Sequence, residues 1–525
     1  MLTTGLHLED AYGATLERIK AEGCCKSRLG TTALMWICHS ERPLGAEELC
    51  HALAVEIGST DYDADNVPSI QTVLSCCQGL AVVDKGGSTV RLIHYTLQGY
   101  LISNLNLFLS PHSTIAEVCL THLKSKQVMA LSDHWAQPSP FLEYASLYWG
   151  AHMNKDLSEE GKRLALELFS HYKYHISISL LSKHMLRCIP LNFSFLGRRF
   201  TGLHYASIFG LVEVAKALIK MGGVDINCRD GTDATPLSWA SMKGQEGVVE
   251  LLLGRDDLNP DSPNCDDRTP LMRAAEHGRE AVVGLLLGRK GVNPDKTSSM
   301  DGKTPIFLAA LNGHEGVVRL LLGRTDVNPN RPYRNGQTLM SWAAQNGHEV
   351  VVKLLVQQKD VNPDTADMWG QTPISLAAEN GHEAVVGLLL QRKDGNPDKP
   401  DEDRRTPISL AARNGHWAIV KMLLGREDVS PDKPGMWRRT PISLAAENGR
   451  EAVVRLLLGR EDVNPDKKDR WRQTPLFLAA ENGHEVVVKL LLQRKDVNPV
   501  VNHRRSYRTE VSFVCTHFYC VSNLY

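Results

Sequence analysis

What the 525-residue sequence lacks narrows its class before any motif is read. No run approaches ~18 consecutive apolar residues, so no segment reads as a transmembrane helix. Residues 1–20 carry acidic side chains and no apolar stretch of the kind a secretory signal needs. Twelve cysteines are too few for a disulfide scaffold, and the pairs Cys24-Cys25 and Cys76-Cys77 are vicinal rather than spaced by two. An excess of one charge is missing as well: 59 Lys and Arg face 60 Asp and Glu, which leaves no bulk positive field to gather nucleic acid or anionic membrane. With 41 Gly and 25 Pro the chain is not of low complexity, and 42% apolar residues suffice for packed cores. The expectation is a soluble, cytoplasmic protein, with the nucleus as the alternative compartment.

Catalytic motifs are also missing. A phosphate-cradling loop needs G-x-x-x-x-G-K-[ST], and Gly302-Lys303-Thr304 has Thr297 where the first glycine belongs. No G-x-S-x-G elbow occurs, so a serine hydrolase has no nucleophile turn. No enzyme, no cofactor and no metal site is expected. Cys515, His517 and Cys520 offer three ligands without a fourth at motif spacing.

What is present is a repeat. Thr201, Thr235, Thr269, Thr304, Thr338, Thr372, Thr406, Thr440 and Thr474 follow one another at 34 residues, with one step of 35. In the clearest copy Thr372 can cap a helix that begins at Pro373, and Asn380-Gly381 can end it. A second helix follows with Val385, Val386, Leu388, Leu389 and Leu390 as its apolar surface. A single pair cannot bury both faces, so neighbouring pairs must complete the core. Ala377 and Ala378 keep the inner helix thin, which predicts curvature with the inner helices on the concave side. His314, His348, His382, His416 and His484 recur one per repeat, too far apart to share a metal.

These residues resemble the ankyrin repeat, whose T-P-L-H, A-A and G-H-x-x-V-V-x-L-L-L pattern they match nine times over about 300 residues. The fourth-position histidine is present only at His204. Ser238, Met272, Phe307, Ser375 and Phe477 replace it elsewhere, which puts that histidine's usual bond between repeats in doubt. The period is one residue longer than the usual 33.

Upstream, helices are predicted over 27–38, 45–55 and 68–77, then strands over 80–83 and 89–93 around the turn Asp84-Lys85-Gly86-Gly87. Three helices and a hairpin make a winged helix. Its third helix has no Lys or Arg for phosphates or guanine edges, which argues against DNA binding. Further helices over 113–123, 140–152 and 158–172 form a connector, with Tyr144, Tyr148 and Trp149 as its core. The expected fold class is predominantly all-α: an ankyrin-repeat solenoid preceded by a winged-helix domain and a helical connector. The expected divisions are an N-terminal segment over 1–26, winged helix over 27–103, connector over 104–195, nine repeats over 196–499 and an atypical tail over 500–525. That tail either covers the last repeat or comes from a disrupted reading frame.

Ala33-Leu34-Met35-Trp36-Ile37, Arg42-Pro43-Leu44, Glu47 to Leu53, Gly79-Leu80 and Arg91-Leu92-Ile93-His94 resemble the winged helix of fungal NACHT-ankyrin proteins. These form an NLR-like signalling class, and their winged helix is catalogued by similarity to one in GPI inositol-deacylase. The resemblance implies a switch-and-sensor architecture rather than a deacylase, with this chain as the C-terminal part lacking the NTPase. It also implies that His94, within Ile93 to Leu101, stands where such proteins read a nucleotide phosphate. A core or capping role is the competing reading.

For binding, the repeats offer nearly constant helices and changing connections. Trp369, Trp437 and Trp471 each precede the repeat threonine by three residues, and Arg404, Arg405, Arg438, Arg439, Arg470 and Arg472 surround them. Trp and Arg dominate interface hot spots. The expected partner is a protein ligand on the concave face and connection tips, through a segment with acidic or aromatic groups. Packing of each Trp on its neighbouring connection is the alternative reading. The expected function is a non-catalytic scaffold or recognition module, the sensor part of an NLR-like protein. Its rivals are a regulatory subunit docking on a separate NACHT NTPase chain and, less favoured, a nucleic-acid binder.

Overall fold

The computed structural model describes residues 4–61, 63–84, 88–104, 107–131, 139–170, 175–185 and 199–499. The tail at 500–525 and the hairpin tip at 85–87 lie outside the described residues. The described residues are mostly helical, and no helix among them is long and apolar enough to cross a membrane. The chain divides into two units inside the third repeat.

In the first unit, the N-terminal segment forms a helix that was not predicted. This is α1 (Thr4–Ala21), which buries Tyr12, Leu16 and Ile19 along one face. Then come α2 (Cys24–His39), α3 (Ala46–Leu53) and α4 (Ile70–Cys76), each within a few residues of its expected bounds. Ser69 caps α4 by accepting from the Thr72 amide at 3.2 Å. Strands β1 (Ala81–Val83) and β2 (Val90–Leu92) pair antiparallel, with Val82 opposite Arg91. The Val90 amide also donates to Leu44 O at 2.8 Å, tying this wing to the segment before α3.

A further helix, α5 (Tyr95–Ser103), leads to the connector: α6 (Pro111–Lys124), α7 (Lys126–Met129), α8 (Leu142–Lys155), α9 (Glu159–Ser170) and α10 (Ile176–Met185). Tyr144 and Trp149 of α8 are fully buried, as their helical spacing predicted, whereas Tyr148, expected with them, is only half-buried. Trp36 of α2 is buried edge-on against Phe141 and Tyr144, ring centroids 5.5 and 5.9 Å away, so the winged helix packs directly on α8. Arg42 reinforces the contact. It grips Glu48 with both terminal nitrogens, at 2.8 and 2.6 Å, while lying 5.4 Å from the Tyr144 ring centroid.

Nine helix pairs follow, from Gly202–Phe209 with Val212–Met221 to Pro475–Glu481 with Glu485–Leu492. Thr372 shows how most begin: its hydroxyl accepts from the Ser375 amide at 3.3 Å, with Pro373 in the first turn; the first and fifth pairs have Gly202 and Leu339 in place of the proline. Val385, Val386 and Leu389 of the outer helix are buried, each contributing about 1.5–3 kcal/mol.

Two polar contacts join successive repeats. His416 Nε2 donates to Glu379 O of the preceding inner helix at 3.2 Å, and His314, His382 and His484 repeat that bond to Glu276, Gln345 and Glu447. Gly381 ends the inner helix at φ 81°, and a Cβ there would stand 2.6 Å from the His416 ring, so the step needs glycine twice over. Arg426 forks onto Asp428 and sends its remaining nitrogen back to Leu390 O at 3.4 Å, at the end of the preceding outer helix. Arg392, Arg460 and Arg494 do likewise to Val356, Leu424 and Leu458. A guanidinium there satisfies carbonyls the helix leaves open and complements its dipole.

The doubt about the fourth-position histidine is thereby resolved. His204 does bond across to Ala234 O at 3.1 Å. Ser375, Ser409 and Ser443 instead donate to their own Thr carbonyls at 2.7–2.8 Å, and the Gly-His histidine carries the bond between repeats.

Candidate interaction surface

The connections between pairs, each numbered by the pair it precedes, fold as tight hairpins. In the sixth, the Asp367 carboxylate accepts from the amides of Trp369 and Gln371 at 3.0 and 2.9 Å, and the Asp367 amide donates to Gln371 O at 3.0 Å. Asp469 repeats the arrangement with Trp471 and Gln473, and Asp401 accepts from the Arg405 amide at 2.7 Å. Such carboxylate-to-amide bonds fix a turn locally, which is why Asp recurs here. Neighbouring tips are stitched by backbone bonds: Glu402 N to Trp369 O at 3.1 Å and Arg470 N to Trp437 O at 2.7 Å.

The eighth connection departs from this pattern. Gly435 replaces the aspartate, and the turn closes through Gly435 N to Arg439 O at 2.8 Å. Trp437 and Arg438 are both left-handed, at φ 56° and 64°. In the fifth connection Asn335 and Gly336 hold that conformation, at φ 60° and 76°. Asn-Gly is the usual occupant of such a turn, whereas a bulky residue there is strained. Arg404 and Arg472 are left-handed too, at φ 61° and 66°, where the sixth connection has Gly370.

The indoles are about half in water: Trp369 is 46% exposed, Trp437 43% and Trp471 53%. Trp437 and Trp471 touch, with ring centroids 5.5 Å apart, while Asp403 takes the corresponding place between Trp369 and Trp437. The arginines divide into two sets. Arg404, Arg438, Arg470 and Arg472 are exposed. Arg405 turns inward to Asp401 at 2.8 Å and Asp403 at 3.1 Å. Arg439, only 14% exposed, pairs with Glu447 and lies 3.6 Å from Asp469. Arg405 and Arg439 thus hold the tips, and the other four present charge. The Gly435 substitution is the sequence signal that could have singled out the eighth tip.

Other residues singled out by sequence take structural places. His94 caps α5, its Nδ1 accepting from the Thr96 amide at 3.3 Å. Thr304 caps the helix Pro305–Leu311, and Lys303 pairs with Asp301 at 3.4 Å, so Gly302-Lys303-Thr304 lies in a repeat. Cys515, His517 and Cys520 fall outside the described residues.

Two family models match. One, for ankyrin repeats (3 copies), matches residues 203–298, 285–367, 352–434 and 408–503. The other, for the GPI inositol-deacylase winged helix domain, matches residues 17–114. No curated protein matches the chain. Ankyrin repeats are non-catalytic modules for protein interaction, and they make up more than half of these residues. With its matches continuous from residue 203 to 503, the chain belongs to the ankyrin-repeat family.

Proposed function

We propose that the sixth to ninth connections receive a protein segment bearing acidic and aromatic groups, with Trp369, Trp437 and Trp471 as apolar anchors and Arg404, Arg438 and Arg472 as charge partners. Arg405 and Arg439 position the tips. The observation that carries this reading is the left-handed Trp437-Arg438 pair. Strain held by bulky residues at an exposed tip, where Asn-Gly serves elsewhere in the same array, is what a functional constraint leaves behind. Half-exposed indoles keep about half of their surface for a partner to cover.

In this reading the chain has no chemistry of its own and works in the cytoplasm as the sensor part of an NLR-like signalling protein. A second reading, a regulatory subunit docking on a separate NACHT NTPase chain, draws on the winged-helix match over 17–114. Nucleic-acid binding is disfavoured because α4 and its cap, residues 69–77, contain no Lys or Arg.

The test is selection of a displayed random-peptide library on the full chain and on Trp369→Ala/Trp437→Ala/Trp471→Ala. The expected result is enrichment of Asp, Glu and aromatic residues that disappears in the triple variant at unchanged thermal stability. Equal recovery on both proteins would make the tryptophans structural. Saturable ATP binding by the chain alone would overturn the reading that it carries no nucleotide site.

A further inference from the structure

A second cluster of chemistry lies where the winged helix meets the connector. Glu41 follows the end of α2, His112 stands in the first turn of α6, and His152 is in the last turn of α8. One ligand atom of each lies within 4.8 Å of the other two. His112 Nδ1 and His152 Nδ1 are 2.8 Å apart, and His39 stands edge-on to His112 with centroids 5.3 Å apart.

The surroundings fix how His152 can be protonated. It is fully buried. Its Nε2 lies 2.8 Å from the Tyr144 hydroxyl, which accepts from the Glu41 amide at 3.0 Å. A neutral imidazole carries one N–H. If Tyr144 donates to Nε2, the His152 proton sits on Nδ1 and points at His112. If Nε2–H donates to Tyr144, a bare lone pair on Nδ1 faces His112, and a cation between the rings would satisfy both.

We propose that Glu41, His112 and His152 form a binding site for a divalent transition metal of the zinc class, clasping the winged helix to the connector. Two histidines and a carboxylate are a donor set zinc takes. Tetrahedral zinc at ~2.05 Å from each nitrogen holds two nitrogens about 3.3 Å apart, so the rings need to open by only about half an ångström. Water completes the shell. Tyr144 supplies the outer support: an oxygen with two lone pairs can accept both His152 Nε2–H and the Glu41 amide, fixing the ligating tautomer. Lys155 competes, with its Nζ 2.6 Å from Glu41 Oε1. Its side chain is 50% exposed and can turn to solvent when a cation arrives.

The test strips the full chain with a chelator and titrates it with Co²⁺, read by visible absorbance, and with Zn²⁺, read by competition with a chromogenic chelator. Because other histidines and cysteines can take up metal, the readout is a difference between variants. His112→Ala is expected to take up one equivalent less, Tyr144→Phe to bind roughly ten- to a hundred-fold more weakly, and Lys155→Met to bind roughly ten-fold more tightly for loss of a nearby positive charge. Glu41→Gln, which keeps the side chain's size and the amide bond to Tyr144, repeats the comparison if His112→Ala fails to fold. Equal stoichiometry in wild type, His112→Ala and Glu41→Gln would overturn the site. So would an affinity indifferent to Lys155→Met, leaving the two rings sharing only a proton.

Discussion

Trp437 and Trp471, from consecutive connections, pack against each other, and the Arg439 guanidinium lies 5.8 and 5.5 Å from their ring centroids. Arg439 is held from below by Glu447, so the aromatic pair rests on a charge that is already fixed. Arg439→Ala should therefore destabilise the array by about 1–2 kcal/mol, through loss of its charge-assisted bond to Glu447. Arg438→Ala, at an exposed position, should stay within about 0.5 kcal/mol of wild type. Urea unfolding of both variants makes the comparison.

Exchanging Trp437-Arg438 for Asn-Gly reproduces the turn of Asn335-Gly336. A left-handed non-glycine residue costs roughly 1–2 kcal/mol. The double substitution should accordingly stabilise the chain by about 1–2 kcal/mol while abolishing peptide capture at that tip. Thermal unfolding paired with peptide binding checks this, and a destabilised variant would mean that the indole chiefly supports the fold.

The bond between His416 and Glu379 makes a different prediction. His416→Ala removes a bond between repeats and the ring packed on Gly381, and should cost about 1–2 kcal/mol. Gly381→Ala should be worse, because it combines a left-handed φ with a 2.6 Å approach to that ring. Chemical denaturation of each single variant ranks them.

Acid should weaken the first unit. Burial first, and then the charge of His51, lowers the His122 pKa to about 4. Burial also lowers that of His175, against its bond to Leu123 O. Both groups are neutral in the folded chain and ordinary, near 6.5, when unfolded. The unfolded state thus binds more protons below pH 6.5, and the stability these groups contribute is present above that pH and lost as pH falls toward 4. Denaturation midpoints measured with chelator present should decline across that window, and His122→Phe should flatten the decline.

The repeats were legible because cap, first-turn proline and Asn-Gly stop recur in register, so local chemistry and period agree. The helix α1 was not, since Tyr12, Leu16 and Ile19 show only a spacing and no cap. At the tips, composition pointed to the exposed indoles but could not separate Arg439, turned inward to Glu447, from Arg438, turned out. That division depends on which side of a left-handed turn each residue falls. Glu41, His112 and His152 carried no signal, because the spacings of 71 and 40 residues match no ligand motif and only packing of α2, α6 and α8 unites them.

Whether the tryptophan tips are a binding surface is decided by the affinity of one selected acidic, aromatic peptide for wild type and for the triple tryptophan variant. If the indoles are hot spots worth at least about 2 kcal/mol each, binding falls by at least roughly 30-fold per tryptophan engaged, with the unfolding temperature unchanged. Equal affinity in the two proteins, or a loss that only follows a lowered unfolding temperature, would contradict the account.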